Sequence, residues 1–303
     1  MKLKPLFFAL TTLICLTACN NNDDIDLFNS PTPAAFKAIQ KNAFDNLKQK
    51  ETFNAENGIV FNSAAGATLT ISANCLSLNG NLVSGAVDLE YVEIFNRGDM
   101  LTTNSTTMGI KANNELTQLI SGGEFNIKVF QNDLELQLSC GMTLNISTAL
   151  TGSNDPNMEP FVGNVDNNGN LVWLTQNTDF FLDSGNSTYN AFVQEFGWFN
   201  IDRFLSDPSP KTEIQIAVPN GFDVTFASVY LALVGEPNSL AIVRGEFPVG
   251  LNAHIIFLSE SEANFRYAIK TISIANGQQV SFTLNETTVA SLEGLTQIIN
   301  DLP

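Results

Sequence analysis

Short β-prone runs cut by turn residues fill most of this chain, and that pattern constrains the fold more than any other feature. Between Glu51 and Ala149, the runs 58–61, 67–72, 86–93, 123–130, 134–139 and 143–147 are separated by Asn79-Gly80, Gly85, Arg97-Gly98-Asp99, Gly122-Gly123 and Asn132-Asp133. Such Asn, Asp and Gly pairs tolerate positive φ and mark tight turns. Val87, Leu89 and Tyr91 alternate with Asp88 and Glu90, the period of a strand with one buried face. Many short strands at regular spacing predict a β-sandwich. From Lys211 the pattern resumes over 213–218, 224–234, 240–243, 253–258, 267–275 and 280–284, with turns at Pro219-Asn220-Gly221, Glu236-Pro237-Asn238 and Asn276-Gly277. This predicts a second small sandwich.

Two segments have helical spacing instead. Residues 31–50 read as one helix, with Ser30 as cap, Pro31 or Pro33 in the first turn, and Phe36, Ile39, Ala43 and Leu47 on one face. Lys37, Lys41 and Lys48 fall off that face and are expected in water. Near the other end, Val289, Leu292, Leu295 and Ile299 repeat at helical spacing within 287–300. The expected fold is therefore mainly β: two β-sandwich domains, 51–150 and 197–303, with a short N-terminal helix and a C-terminal helix. Residues 151–196 read as a connecting segment with a hairpin at Asp166-Asn167-Asn168-Gly169-Asn170, leading into Leu171-Val172-Trp173-Leu174.

Charge and composition exclude several classes of function. Fourteen basic and 31 acidic residues give a net charge of −17. Nucleic acid is excluded as a partner, because phosphate binding needs clustered Lys and Arg. One histidine, His254, rules out a multi-histidine metal site and argues against His-based catalysis. No Gly-x-Ser-x-Gly elbow, P-loop or His-Glu-x-x-His occurs. No enzyme activity, cofactor or metal is expected.

The N-terminus reads as an address. Lys2 and Lys4 precede an apolar run from Leu6 to Leu16, too short at about 11 residues to span a bilayer, which takes about 20. Leu16-Thr17-Ala18-Cys19 resembles the bacterial lipobox. That resemblance implies cleavage after residue 18, acylation of Cys19 and a lipid anchor in the outer membrane. Several acyl chains hold stably where one is marginal. Losing Lys2 and Lys4 takes the charge from −17 to −19. Residues 19–30 then form an acidic, Asn-rich tether. Asp23 and Asp24, close behind Cys19, look like the surface-export signal of Bacteroidota lipoproteins.

Two stretches carry a wider resemblance: Gly85 to Tyr91 through Leu101 and on to Leu119–Lys128, and Gly197-Trp198-Phe199-Asn200-Ile201-Asp202-Arg203-Phe204. Together they resemble a group of β-rich Bacteroidota envelope lipoproteins. The first is also distantly similar to the β-sandwich of ankyrins and netrin receptors. The resemblance implies fold and compartment, not activity. Some relatives of that sandwich cut themselves at His-Phe-Ser; Glu124-Phe125-Asn126 stands in the matching region, so that chemistry does not carry over.

The remaining candidates are few. Cys75 and Cys140 are an even pair in an oxidising compartment, and either a disulfide or two separate buried thiols satisfies the count. A bridge there would add on the order of 4 kcal/mol in the chain-entropy view. Asp88/Glu90 and Glu260/Glu262 are i, i+2 carboxylate pairs, each expected on one solvated strand face. The Asp166–Asn170 loop has oxygen ligands at loop spacing but lacks the terminal Glu of an EF-hand, so a turn is preferred to calcium. Aromatic residues from Phe180 to Phe204 are expected mainly as packing, with Asp202 and Arg203 pairing or hydrogen-bonding at the domain junction. The sequence thus points to a non-catalytic structural or interaction module on the cell surface, with an envelope protein or glycan as partner. The alternative is a carbohydrate-binding or polysaccharide-utilisation accessory protein, which requires Trp173 or Trp198 to line a groove.

Overall fold

The computed structural model describes residues 31–166 and 169–303. The described residues are mainly β with three α-helices. Helix α1, Pro33–Asn46, starts where Thr32 accepts the Ala35 N–H on its hydroxyl (3.1 Å) and Pro33 presets the first turn. It ends before residue 50: Gln49–Asn54 is a strand, paired antiparallel with Ala86–Ile94. The helix expected over 31–50 is therefore shorter, because Lys48 and Lys50 are drawn to Glu90 on that neighbouring strand (3.1 and 2.7 Å).

The first half is a sandwich. One sheet runs in the order Gln49–Asn54, Ala86–Ile94, Leu116–Gln131, Gly197–Phe204, Glu159–Val165, Leu171–Thr175, Met108–Ile110. Met108–Ile110 also pairs with the start of Leu116–Gln131, so five of these strands close into a ring. Leu119, Phe161, Leu171 and Trp173 fill it. Gly163 is required there, since a Cβ would sit 2.6 Å from Trp198 Cβ and 2.8 Å from the Trp173 ring. The opposing sheet contains Phe180–Asp183, Thr188–Val193, Met142–Ser147, Thr68–Ile71 and Ile59–Asn62. Alternate residues such as Leu144 and Ile146 meet Leu89, Tyr91, Phe125 and Ile127 in the core. Cys75 and Cys140 are joined by a disulfide, with Cα atoms 5.3 Å apart.

The second half is built on Asn252–Ser261, the central strand of a five-stranded sheet and buried on both faces. Ala253, Ile255 and Phe257 pack with Leu231, Phe247 and Phe282. On the other face, Ile256 and Leu258 meet Phe36 of α1, Leu295 and Ile299 of α3 (Leu292–Asn300), and Val92, Met100 and Leu101 of the first half. The two halves thus share one apolar core. Arg97, in α2 (Arg97–Thr103), reinforces it by donating to the carbonyls of Ile299 (2.9 Å), Leu233 (3.3 Å) and Leu302. These carbonyls include free ends of α3, where a cation is favoured.

Pairing redraws the expected boundaries. Gly197–Phe204, expected to open the second sandwich, lies between Leu116–Gln131 and Glu159–Val165 in the first sheet. Residues 151–196 supply four strands to the first half rather than a connection. Strand partners far away in sequence dictate both placements.

Candidate binding cleft

A cleft of about 1060 Å3 opens where the two halves meet. Ligand sites favour such junctions, and the volume suits a small molecule. Helix α1 forms one wall with Phe36, Gln40 and Phe44, spaced i, i+4, i+8, and with Lys37 and Lys41 beside them. The opposite wall is the loop 222–225 with the first residues of Ala227–Leu233. Val165 and Leu171 close one end together with Ile242, Val243 and Arg244, where Arg244 reaches Asp166 (3.0 Å).

The floor follows from strand alternation. Phe125 and Ile127 point into the sandwich core, so Asn126 and Lys128 point to the opposite face and line the cleft. Trp198 pairs in register with Asn126 and joins them, while Phe199 turns inward. Trp198 is half-buried, with Phe44 at 5.5 Å and Trp173 edge-on at 6.0 Å. Trp173 is wholly buried and donates its indole N–H to the Thr106 carbonyl (2.9 Å). Of the two tryptophans, only Trp198 reaches a groove.

Further along the same face lie two carboxyls, Glu124 and Asp202, both fully buried. Burial pushes the carboxyl of each well above the usual range, and the Asp202 charge adds to the effect on Glu124. Asp202 receives the Asn200 side-chain N–H (2.6 Å) and the Gly122 N–H (3.3 Å). Neither carboxyl oxygen of Glu124 has a hydrogen-bond partner among the described residues. Both groups are sealed from solvent within the fold. The expected pairing of Asp202 with Arg203 does not form, because the two alternate across the strand. Arg203 reaches Asp155 instead (2.6 Å).

The other candidates lie elsewhere. Cys19, Asp23 and Asp24 lie outside the described residues. His254 is buried, its Nδ1 2.8 Å from the Thr271 hydroxyl, and desolvation lowers its pKa. Asp88 accepts the Thr52 hydroxyl (2.6 Å) on an exposed face, and Glu90 pairs with lysines. Glu260 is buried and accepts the Ala263 N–H (2.7 Å), whereas Glu262 sits beyond the strand in a positive-φ turn, so those two do not share a strand face. Asp166 takes both guanidinium nitrogens of Arg244 (3.0 Å each), which engages it in an ion pair. No group of three or more His, Cys, Asp or Glu is arranged to hold a metal among the described residues.

The cleft escaped sequence reasoning. The lysines on α1 were expected in plain solvent, and only the fold sets a second wall opposite them. Compared with known proteins, the chain matches no family model and no curated sequence.

Proposed function

We propose that this protein is a non-catalytic binding lipoprotein of a bacterial outer membrane, anchored through Cys19 and displayed on the cell surface, whose cleft takes a small and largely apolar ligand. The observation that carries the reading is the cleft itself. Phe36, Phe44, Leu171, Trp198 and Phe222 supply apolar lining, and Asn126, Asn170 and Ser228 supply a few polar groups. Among the described residues its lining holds one carboxylate, Asp223, and neither histidine nor cysteine. Asp223 is turned onto its own loop by the Thr225 N–H (2.7 Å) and hydroxyl (2.5 Å). General acid–base chemistry needs more than that. The glycan reading is weaker, because Phe44 and Trp173 crowd Trp198, where a sugar needs an open ring face.

The test is titration with neutral N-phenyl-1-naphthylamine, whose emission rises in apolar sites. Saturable binding is expected with energy transfer from tryptophan. Ser228→Trp, which fills the cleft from a half-buried position, is expected to weaken binding at least about tenfold while leaving the near-UV circular dichroism of a folded chain. Unchanged binding would overturn the cleft as the site. For the anchor, Cys19→Ala is expected to release the protein from membranes, and protease shaving of intact cells is expected to remove the wild type.

A further inference from the structure

We infer that the ligand of this cleft is an amphipathic anion: an apolar or aromatic body carrying one acidic head group, carboxylate, sulfonate or phosphate. The inference rests on the cleft being a binding site and specifies what it binds. Among the described residues, four Lys or Arg line the cleft, against one Asp or Glu. In a chain of net charge −17, that reverses the local sign of the surface. The cations come from separate elements: Lys37 and Lys41 one turn apart on α1, Lys128 from the floor, and Arg244 from the end wall.

Lys37 has no ion pair among the described residues. Lys41 is held by Asp45, Lys128 by Glu135 at 2.8 Å and Arg244 by Asp166 at 3.0 Å, and none of those three carboxylates lines the cleft. All three pairs have exposed or part-exposed members, so they are weak and yield readily to a ligand head group. The apolar lining of Phe44, Trp198 and Phe222 selects for a hydrophobic body, because burying it contributes most of the binding energy.

A matched pair of probes tests this. 8-Anilinonaphthalene-1-sulfonate is N-phenyl-1-naphthylamine with one added sulfonate. Titrated into the full chain carrying Cys19→Ala, so that no detergent competes, the sulfonate is expected to bind about tenfold more tightly than the neutral probe, as a charge-assisted contact gives. Lys37→Gln, Lys41→Gln, Lys128→Gln and Arg244→Gln together are expected to bring the sulfonate down to the affinity of the neutral probe for the same variant; all four side chains are exposed or half-exposed, so the fold is retained. Equal binding of both probes to the Cys19→Ala chain would overturn the anionic inference while the cleft reading stands. A preference that survives the fourfold substitution would also overturn it, placing the sulfonate elsewhere. Binding of neither probe would bring down the cleft reading itself.

Discussion

The two halves of the molecule bury their central strands by opposite chemistry. Leu116–Gln131, in the first half, carries Gln118, Ser121, Glu124 and Asn126 into the interior. Asn252–Ser261, in the second, buries an almost continuous apolar run from Ala253 to Leu258, broken only by His254. An apolar strand is held by desolvation alone and its stability depends little on pH. A polar one needs partners, and Glu124 has none among the described residues. The first half compensates with its disulfide and with the tryptophan-filled ring, which the second half does without.

The largest expected effects come from the two cores. Trp173→Ala and Phe257→Ala each remove a fully buried ring and are expected to cost toward the upper end of about 3–5 kcal/mol, measured by denaturant unfolding. If the shared core makes the halves one cooperative unit, either substitution lowers a single transition. Two separate transitions would break that picture.

Next is the disulfide. Cys75→Ser with Cys140→Ser opens a bridge between residues 65 apart and is expected to cost on the order of 4 kcal/mol. Loss on reduction of the wild type, and no further loss on reducing the variant, would match.

Glu124→Gln sharpens the contrast most directly. Burial raises the pKa of this carboxyl in the folded chain, so above the ordinary carboxylate value the folded state binds more protons than the unfolded one. Its cost is absent at acid pH and grows as pH rises past the unfolded value. The glutamine variant is expected to be more stable than wild type by about 1–3 kcal/mol at pH 7, and to show little such gain near pH 4. A variant less stable at pH 7 would mean that the buried acid has a partner in solution.

The smallest effect has the opposite sign. Glu115 is held to a pKa of about 2, first by Lys211 and then by Asn113. Its contribution is full above the ordinary carboxylate value and is lost as pH falls toward 2. Both side chains of the Glu115–Lys211 pair are about a third exposed. Glu115→Gln is therefore expected to cost under about 1 kcal/mol at pH 7, and nothing at pH 2. Comparing the two glutamine variants across pH separates buried from solvated carboxylates in one experiment.

Much of the fold was legible in the residues. The alternation of Val87, Leu89 and Tyr91 is a real strand with those three buried. The helical spacing of Phe36 and Ala43 is a real helix face with both buried. Most turn pairs fall between strands: Asn79-Gly80 and Asn132-Asp133 all have positive φ. These features rest on contacts within a few residues. The cleft was not legible. Lys37 looked like one more solvated lysine, and Asp202 like a junction residue paired or hydrogen-bonded with Arg203.

What the sequence determined by itself is therefore local: strand and helix periods, turn positions, the acidic balance and the shortage of histidine. What only the tertiary structure decided is where Gly197–Phe204 pairs, which tryptophan meets solvent, and which carboxyls lose it. Side-chain period is set by neighbours along the chain. Sheet order, a cavity between two halves and the hydration of a charge are set by residues far apart in sequence that meet only when the shared core closes.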